Sequence, residues 1–301
     1  MIFMKKRIIL VILMVCLLFS YEARGKVKEV DYNITMKQDL LTLMMAYPSY
    51  ITGVEKNNDN IYIVMKSGKK IIYDDKKQKT FEQKLANPDL QDMLEQIYPL
   101  ESIDGVVADK FDPGRMRVYE LLHDVYGHSK GEIEKNLKSV AGGMQFNGQN
   151  NAASSLNTVV KSLNELTKSN GKASSDIYPF NGTYNYRIIA GTGRLSPHAF
   201  GIAIDLNRDS RDYWQWASLE QGDKRIKGYT KEIPKIFEAN NFIWGGKWRH
   251  FDILHYEYRP EILIKAKYFG NKDDKYDNWW GKVPTNDQSI KSFIDIIEKS
   301  L

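Results

Sequence analysis

A chain of 301 residues with one cysteine, Cys16, cannot build an internal disulfide framework or a cysteine-ligated zinc module. Whatever it folds into must be held by a buried apolar core. Hydrophobic residues at 42% supply one, and charged residues at 27% exclude a collagen-like or wholly disordered chain. The length allows one large domain or two modest ones. Lys+Arg at 43 against Asp+Glu at 38 is too mixed for a nucleic-acid binder, in which basic residues gather on one face. With five histidines, a metal site must draw on few of them and complete itself with carboxylates.

The first twenty residues stand apart. Lys5, Lys6 and Arg7 precede an apolar run from Ile8 to Phe19, and polar chain resumes at Ser20. A basic start followed by a dozen apolar residues fits a secretory signal peptide over 1–20, and it falls short of the roughly 20 residues of a spanning helix. An uncleaved anchor is the competing reading, because small residues are poorly placed near Ser20 and Ala23. Export to the periplasm, cell wall or exterior is expected, with no stable membrane partner unless the leader is retained. Cleavage would remove Cys16 and three of the 43 basic residues, so much of the mild basicity is an export signal.

The remaining chain reads as α+β. Residues 31–105 form a small polar-rich α+β section. Ile61–Met65 and Lys70–Tyr73 flank Gly68 as a β-hairpin, and Asn87-Pro88 should cap a short helix reaching about Ile97. The lysines from Lys69 to Lys79 read as a solvated edge. Further helices are expected from Asp112-Pro113 to Gly127, over Ile133–Val140, and over Ala152–Leu166, where Leu156, Val159, Val160, Leu163 and Leu166 share a stripe. His123 and His128 lie five apart, about 140° around a helix, which is not the i, i+4 pair of a helical zinc motif. They read as surface or capping histidines. A terminal helix should cover Ser289–Leu301, within a segment 284–301.

The chemistry concentrates between Tyr184 and Tyr258. Tyr184–Thr192 reads as a strand entering a loop. In Gly201-Ile202-Ala203-Ile204-Asp205-Leu206 the branched residues alternate with small ones, so a strand buries Ile202, Ile204 and Leu206 and turns Asp205 to a roomier face. His198, brought back by a turn at Gly201, would pair with Asp205 as metal ligands. A second strand lies within Trp248–Tyr258. Asp252 and His255 fall on opposite faces of a flat strand, so they serve one site only if the strand begins, bends or bulges between them. A loop-borne Asp252 followed by a strand-borne His255 meets this, with His255 the third ligand and Asp252 a base nearby. Trp214 and Trp216 are expected to pack the core, and Trp248 could pack the core or wall a groove. Ser196 lacks the Gly-x-Ser-x-Gly elbow of a serine hydrolase and should instead hold the loop before His198.

The run Ser196-x-His198-x-x-Gly201-x-Ala203-x-Asp205, followed by Asp252-x-x-His255, resembles the zinc peptidases that cut bacterial cell-wall stem peptides. These are the D-alanyl-D-alanine carboxypeptidases and L-alanyl-D-glutamate endopeptidases. The resemblance extends to Arg187, to Ile189-Ala190-Gly191-Thr192 and to Phe242–Trp248, and covers roughly Asp112 to Glu261. It implies a mixed α+β peptidase domain over 106–283, of the fold shared with Hedgehog signalling domains. It implies one zinc ion on His198, Asp205 and His255, with Asp252 as catalytic carboxylate and Arg187 steadying the oxyanion. Arg194 and His250 compete for that last role, since the family's usual upstream Gly-Tyr-Arg stretch is not evident. Three protein ligands leave a fourth zinc position for water, whose pKa falls from about 15.7 to about 7.

The resemblance therefore implies a secreted metallopeptidase acting on peptidoglycan stem peptides. Two other readings compete: a non-catalytic wall-binding protein that keeps the fold, and a peptidase recruited to other D-amino-acid or short peptides. The intact metal-centre positions argue against a decayed enzyme.

Overall fold

The front section opens with a helix that the sequence pattern did not resolve. In the computed structural model, which describes residues 31–271 and 278–301, residues 31–46 form α1 and bury Leu40, Leu41, Leu43 and Met44. The expected leader lies outside the described residues. A three-stranded antiparallel sheet follows: β1 (Ile51–Asn57), β2 (Asn60–Met65) and β3 (Lys70–Ile72), in that order. The hairpin at Gly68 is as expected, with Val64 opposite Lys70 and Gly68 at φ 88° in the turn.

Several expected elements are displaced. Two short helices, α2 (Phe81–Ala86) and α3 (Leu90–Leu94), occupy the next stretch, and Asn87 ends the first rather than capping the second. Asp89 caps α3 because it alone is placed to accept from Asp92 N while the Asp92 side chain accepts from its own N–H. Lys79 is not solvated: it is buried among Asp75, Asp89 and Asp92 at 3.0, 2.9 and 2.7 Å. Asp112-Pro113 starts no helix; α4 runs only over Tyr119–Tyr126. The expected helix over 133–140 divides into α5 (Lys130–Asn136) and β4 (Leu137–Val140), which pairs with β5 (Met144–Asn147). Gly142 and Gly143, at φ 81° and 77°, turn the chain tightly enough to make that hairpin.

The long helix appears where its stripe placed it, as α6 (Ala152–Ser169), followed by α7 (Gly171–Ile177). Residues 184–192 form no strand. A single bridge joins Ile188 to Leu195, because Gly191 and Gly193, both at positive φ, fold the chain back on itself. The segment after it builds the sheet that matters: β6 (Ala203–Asp205), then α8 (Leu219–Gly228), α9 (Glu232–Glu238), β7 (Phe242–Trp244) and β8 (His255–Tyr258). Its order is β6-β8-β7, all antiparallel. The chain closes with α10 (Pro260–Phe269) and the expected terminal helix, α11 (Gln288–Ser300).

The architecture is thus mixed α+β, with small antiparallel sheets and the central one buried. The front section is not a loose appendage. Buried Asp39 of α1 pairs with Lys265 of α10, Tyr47 donates to Glu261 at 2.7 Å, and α11 packs on β1. One continuous apolar cluster runs through all these elements. Among the described residues, no helix is long and apolar enough to cross a membrane.

Candidate metal centre

The central sheet sets the site by register. Asp205 on β6 pairs directly with His255 on β8, so their side chains project from one face as a cross-strand pair. His198 comes from the short helical turn Pro197–Phe200. Ser196 caps that turn, its hydroxyl accepting from His198 N at 3.3 Å, which is the role expected of it. Gly201 ends the turn at φ 70°. A Cβ there would lie 2.8 Å from the Leu137 side chain and 3.2 Å from Asn147 N, so any other residue would strain the turn that carries His198.

The three side chains converge. His198 Nε2 lies 3.2 Å from His255 Nδ1 and 3.2 Å from Asp205 Oδ1, and His255 Nδ1 lies 2.9 Å from Asp205 Oδ1. Zinc–ligand bonds of about 2.0–2.1 Å in a tetrahedron give ligand–ligand edges of about 3.3 Å, so this donor triangle fits one such ion. The far side of each ring agrees. His198 Nδ1–H donates to Thr183 O at 2.7 Å, which leaves Nε2 as a lone pair. His255 Nε2 faces Glu257 Oε2 at 3.7 Å, which leaves Nδ1 turned inward. Carbonyl and carboxylate partners of this kind fix the tautomer and aim of metal-binding imidazoles.

Glu257 is itself held. Arg117 Nε and Nη2 reach its two oxygens at 2.8 and 2.6 Å, and Arg259 Nη1 lies at 3.3 Å, all buried. Against the cost of burial, the Arg117 guanidinium, then His255 and Arg259, keep the Glu257 carboxyl well below the usual carboxylate range. Burial likewise opposes charge on Asp205, yet His198 and His255 hold its carboxyl down. Burial disfavours charge on His255 too, but Asp205 and Glu257 outweigh it and lift its pKa to about 10.

Asp252 stands beside this group in a loop, as its spacing with His255 required. Its N–H donates to Gly245 O at 3.0 Å and its carbonyl accepts from His255 N at 3.1 Å, so the loop closes onto the first residue of β8. Burial and the charge of Asp205 push its carboxyl up to about 6, against the opposing charges of His255, His198 and Arg115. Gly245 is forced: a Cβ would lie 2.5 Å from Asp252 O.

His198, Asp205, Asp252 and His255 line one cavity of about 330 Å³, together with Arg187, Arg115 and His250. Arg187 is exposed at its mouth and makes no side-chain hydrogen bond or ion pair among the described residues. Arg194 turns away and donates to Leu85 O of α2. Trp248 is buried and also walls the cavity, its Nε1–H donating to Pro113 O. Trp216 is not core: it is 56% exposed at the mouth under Arg208, while Trp214 is half-buried behind it. His123 and His128 stack on each other away from the cluster.

Sequence reasoning passed over Arg115, Arg117, Asp112, Thr183 and Glu257. Glu257 carried a signal, since it falls two residues after His255 on the same strand face. Arg115 and Arg117 sit in irregular chain, where spacing gives none.

The His198, Asp205 and His255 group, opening on a cavity that also holds the raised Asp252 carboxyl, could hold a metal ion. Residues 190–258 match the family model described as D-alanyl-D-alanine carboxypeptidase, and this segment is a domain of that family, hence of metallopeptidase type. The match contains all three ligand candidates and Asp252, and excludes Arg187 and the Asp112 region. No curated protein and no solved structure matches the chain.

Proposed function

We propose that this protein is an exported zinc metallopeptidase that hydrolyses amide bonds of peptidoglycan stem peptides. The observation that carries this reading is the convergence of His198 Nε2, Asp205 Oδ1 and His255 Nδ1 within 3.2 Å of one another, on the wall that also holds Asp252. The peptidase domain would span about 106–283 in the fold shared with Hedgehog signalling domains, with 31–105 and 284–301 packed behind it.

His198, Asp205 and His255 would hold a single zinc ion, which when bound acidifies a water and polarises a carbonyl. Asp252, with its carboxyl raised to about 6, is ionised at neutral pH and accepts a proton from the attacking water, then returns it to the leaving amine. Trp248 and Leu254 limit water around that transfer. Arg187, unencumbered at the mouth, can reach the scissile carbonyl oxygen or a peptide's terminal carboxylate. Two arginines at the mouth, Arg187 and Arg208, favour substrates ending in a carboxylate, so the terminal D-alanine bond is preferred over the L-alanyl-D-glutamate bond.

The test is digestion of purified peptidoglycan by zinc-loaded protein and by His255→Ala, with fragments identified by mass. Free D-alanine from the wild type alone is expected. A new N-terminal D-glutamate would shift the reading to an endopeptidase. No product at all would leave the wall-binding alternative.

A further inference from the structure

A second cavity, of about 350 Å³, lies between α7, α8 and the loop that follows β6. Arg208 lines both this cavity and the metal cavity. It follows Asp205 by three residues, so its Cα lies at most about 11 Å from that of the ligand candidate. The loop is also tied to the Asp252 segment. Tyr213 bridges Asp252, Trp214 N donates to Phe251 O at 3.0 Å, and Ile253 N donates to Asp212 O at 2.7 Å. The two cavities therefore keep a fixed offset.

Five cations line the second cavity, Lys172, Arg208, Arg211, Lys224 and Arg225, against two carboxylates, Asp176 and Asp209. Both carboxylates are spent inside the protein. Asp176 accepts from Arg225 Nη1 at 2.8 Å, from Lys172 Nζ at 2.6 Å, and from the Thr230 N–H and hydroxyl at 3.1 and 2.6 Å. Asp209 takes Arg211 Nε and Nη2 at 2.8 and 2.6 Å. Asp212, buried behind the loop, accepts from Arg225 Nε at 2.8 Å. At the rim Glu220 meets Lys224 at 2.7 Å, but both are mostly exposed, where water and salt weaken the pair.

Two donors are left over. Arg208 makes no hydrogen bond or ion pair among the described residues and lies over the Trp216 ring at 4.4 Å. Arg225 is only 8% exposed, and its Nε and Nη1 are fixed on two buried carboxylates. Its Nη2 makes no hydrogen bond among the described residues, yet it is not sealed from solvent. A guanidinium clamped on two sides presents its remaining N–H groups in a set direction, and little freedom is lost when they are bound. The group that matches such a fork is a planar oxyanion, above all a carboxylate. An extended peptide covers about 3.3–3.6 Å per residue, so two or three residues carry it from the metal group past Arg208.

We propose that the second cavity is a substrate subsite for a carboxylate two or three residues from the scissile bond, gripped by Arg225 Nη2 and Arg211. The inference rests on the peptidase reading above for the identity of the peptide. A stem peptide that ends in D-alanine offers such a group in the free carboxylate of its D-glutamate residue. Arg208, between the cavities, adds positive charge to both.

The experiment compares two stem peptides ending in D-alanyl-D-alanine, one with the D-glutamate carboxylate free and one with it amidated. Calorimetry reads their binding to the metal-free full chain, and D-alanine release by the zinc-loaded protein reads KM and kcat. The wild type should bind the free form about tenfold more tightly, as one part-exposed charge-assisted hydrogen bond warrants. KM should shift alike, with kcat within about threefold. Arg211→Glu, at an exposed position, should abolish or invert the preference. Arg225→Lys, which keeps the charge and loses the fork, should cut it to about threefold or less. A wild type indifferent to amidation overturns the assignment, and that arm needs no variant to fold. A preference intact in Arg211→Glu puts the carboxylate elsewhere and overturns it as well. Selective binding without any D-alanine release would uphold the subsite and overturn the peptidase reading, so the two failures are told apart.

Discussion

Glu257→Gln isolates the part of the site that lies behind the metal. Glu257 is completely buried and neutralises Arg117 through two short hydrogen bonds, with Arg259 at 3.3 Å as a second cation. Removing one charge of a buried pair costs about 3–5 kcal/mol, because the other stays desolvated and unpaired. Arg259 keeps Glu261 at 2.5 Å and the Gly114 carbonyl, and Arg117 keeps the Arg115 carbonyl at 3.2 Å. The loss should therefore fall near 3 kcal/mol, the low end of that range. At about 2–4 °C per kcal/mol for a chain of this size, the melting midpoint of the metal-free protein drops by about 6–12 °C. A second effect follows from His255, whose Nε2 faces the same carboxylate. Loss of such a partner weakens metal binding by about 10–100-fold. With zinc in excess, the melting difference from wild type should then widen by a further 1.4–2.7 kcal/mol or so. Calorimetric melts at pH 7 with and without zinc, with a direct zinc titration, read both numbers. A metal-free midpoint within about 2 °C of wild type would refute the buried-network argument. A normal drop with unchanged zinc affinity would show that Glu257 braces the fold and does not aim His255.

Other expectations are shorter. Asp252→Asn should retain zinc and lose about 10²–10⁴-fold in kcat, measured by free amine release. In the wild type the rate should fall as pH drops through about 6 or somewhat below, since Asp252 must be ionised to accept a proton and a bound cation's charge lowers its pKa further. The same acid limb should be absent from the residual rate of the variant. Gly245→Ala places a methyl carbon 2.5 Å from Asp252 O, so it should displace the Asp252 loop and reduce kcat more than zinc affinity, as seen in paired kinetic and titration data. Zinc binding at pH 7 should release about one proton, since His255 with a pKa of about 10 is charged in the metal-free protein; titrations in buffers of different ionisation enthalpy count it.

The convergence of His198, Asp205 and His255 was legible in part from local pattern and in part from the family resemblance. A strand alternation exposed Asp205, and the three-residue gap from Asp252 to His255 required a loop before a strand, which is where β8 begins. The register that sets Asp205 opposite His255 was not legible, since pairing partners are chosen by tertiary packing. Helix α1 was missed because its apolar stripe, Leu40 to Met44, is nearly continuous and has no clear helical period. Asp112-Pro113 has the form of a helix start, but its carboxylate is drawn 138 residues away to His250, a contact no local pattern announces. The same holds for Arg117, whose partner Glu257 lies across the core. Trp216 was misplaced because a tryptophan side chain serves a core and a rim equally well by composition.

The central claim is that one ion held by His198, Asp205 and His255 makes this chain a peptidase. Metal-free protein titrated with zinc, with D-alanine release from a stem peptide followed at each addition, tests it most directly. Activity should rise linearly, reach a plateau at one equivalent, and be missing at every zinc level in His198→Ala. Hydrolysis that is independent of zinc, or no hydrolysis at one full equivalent bound, would contradict the account.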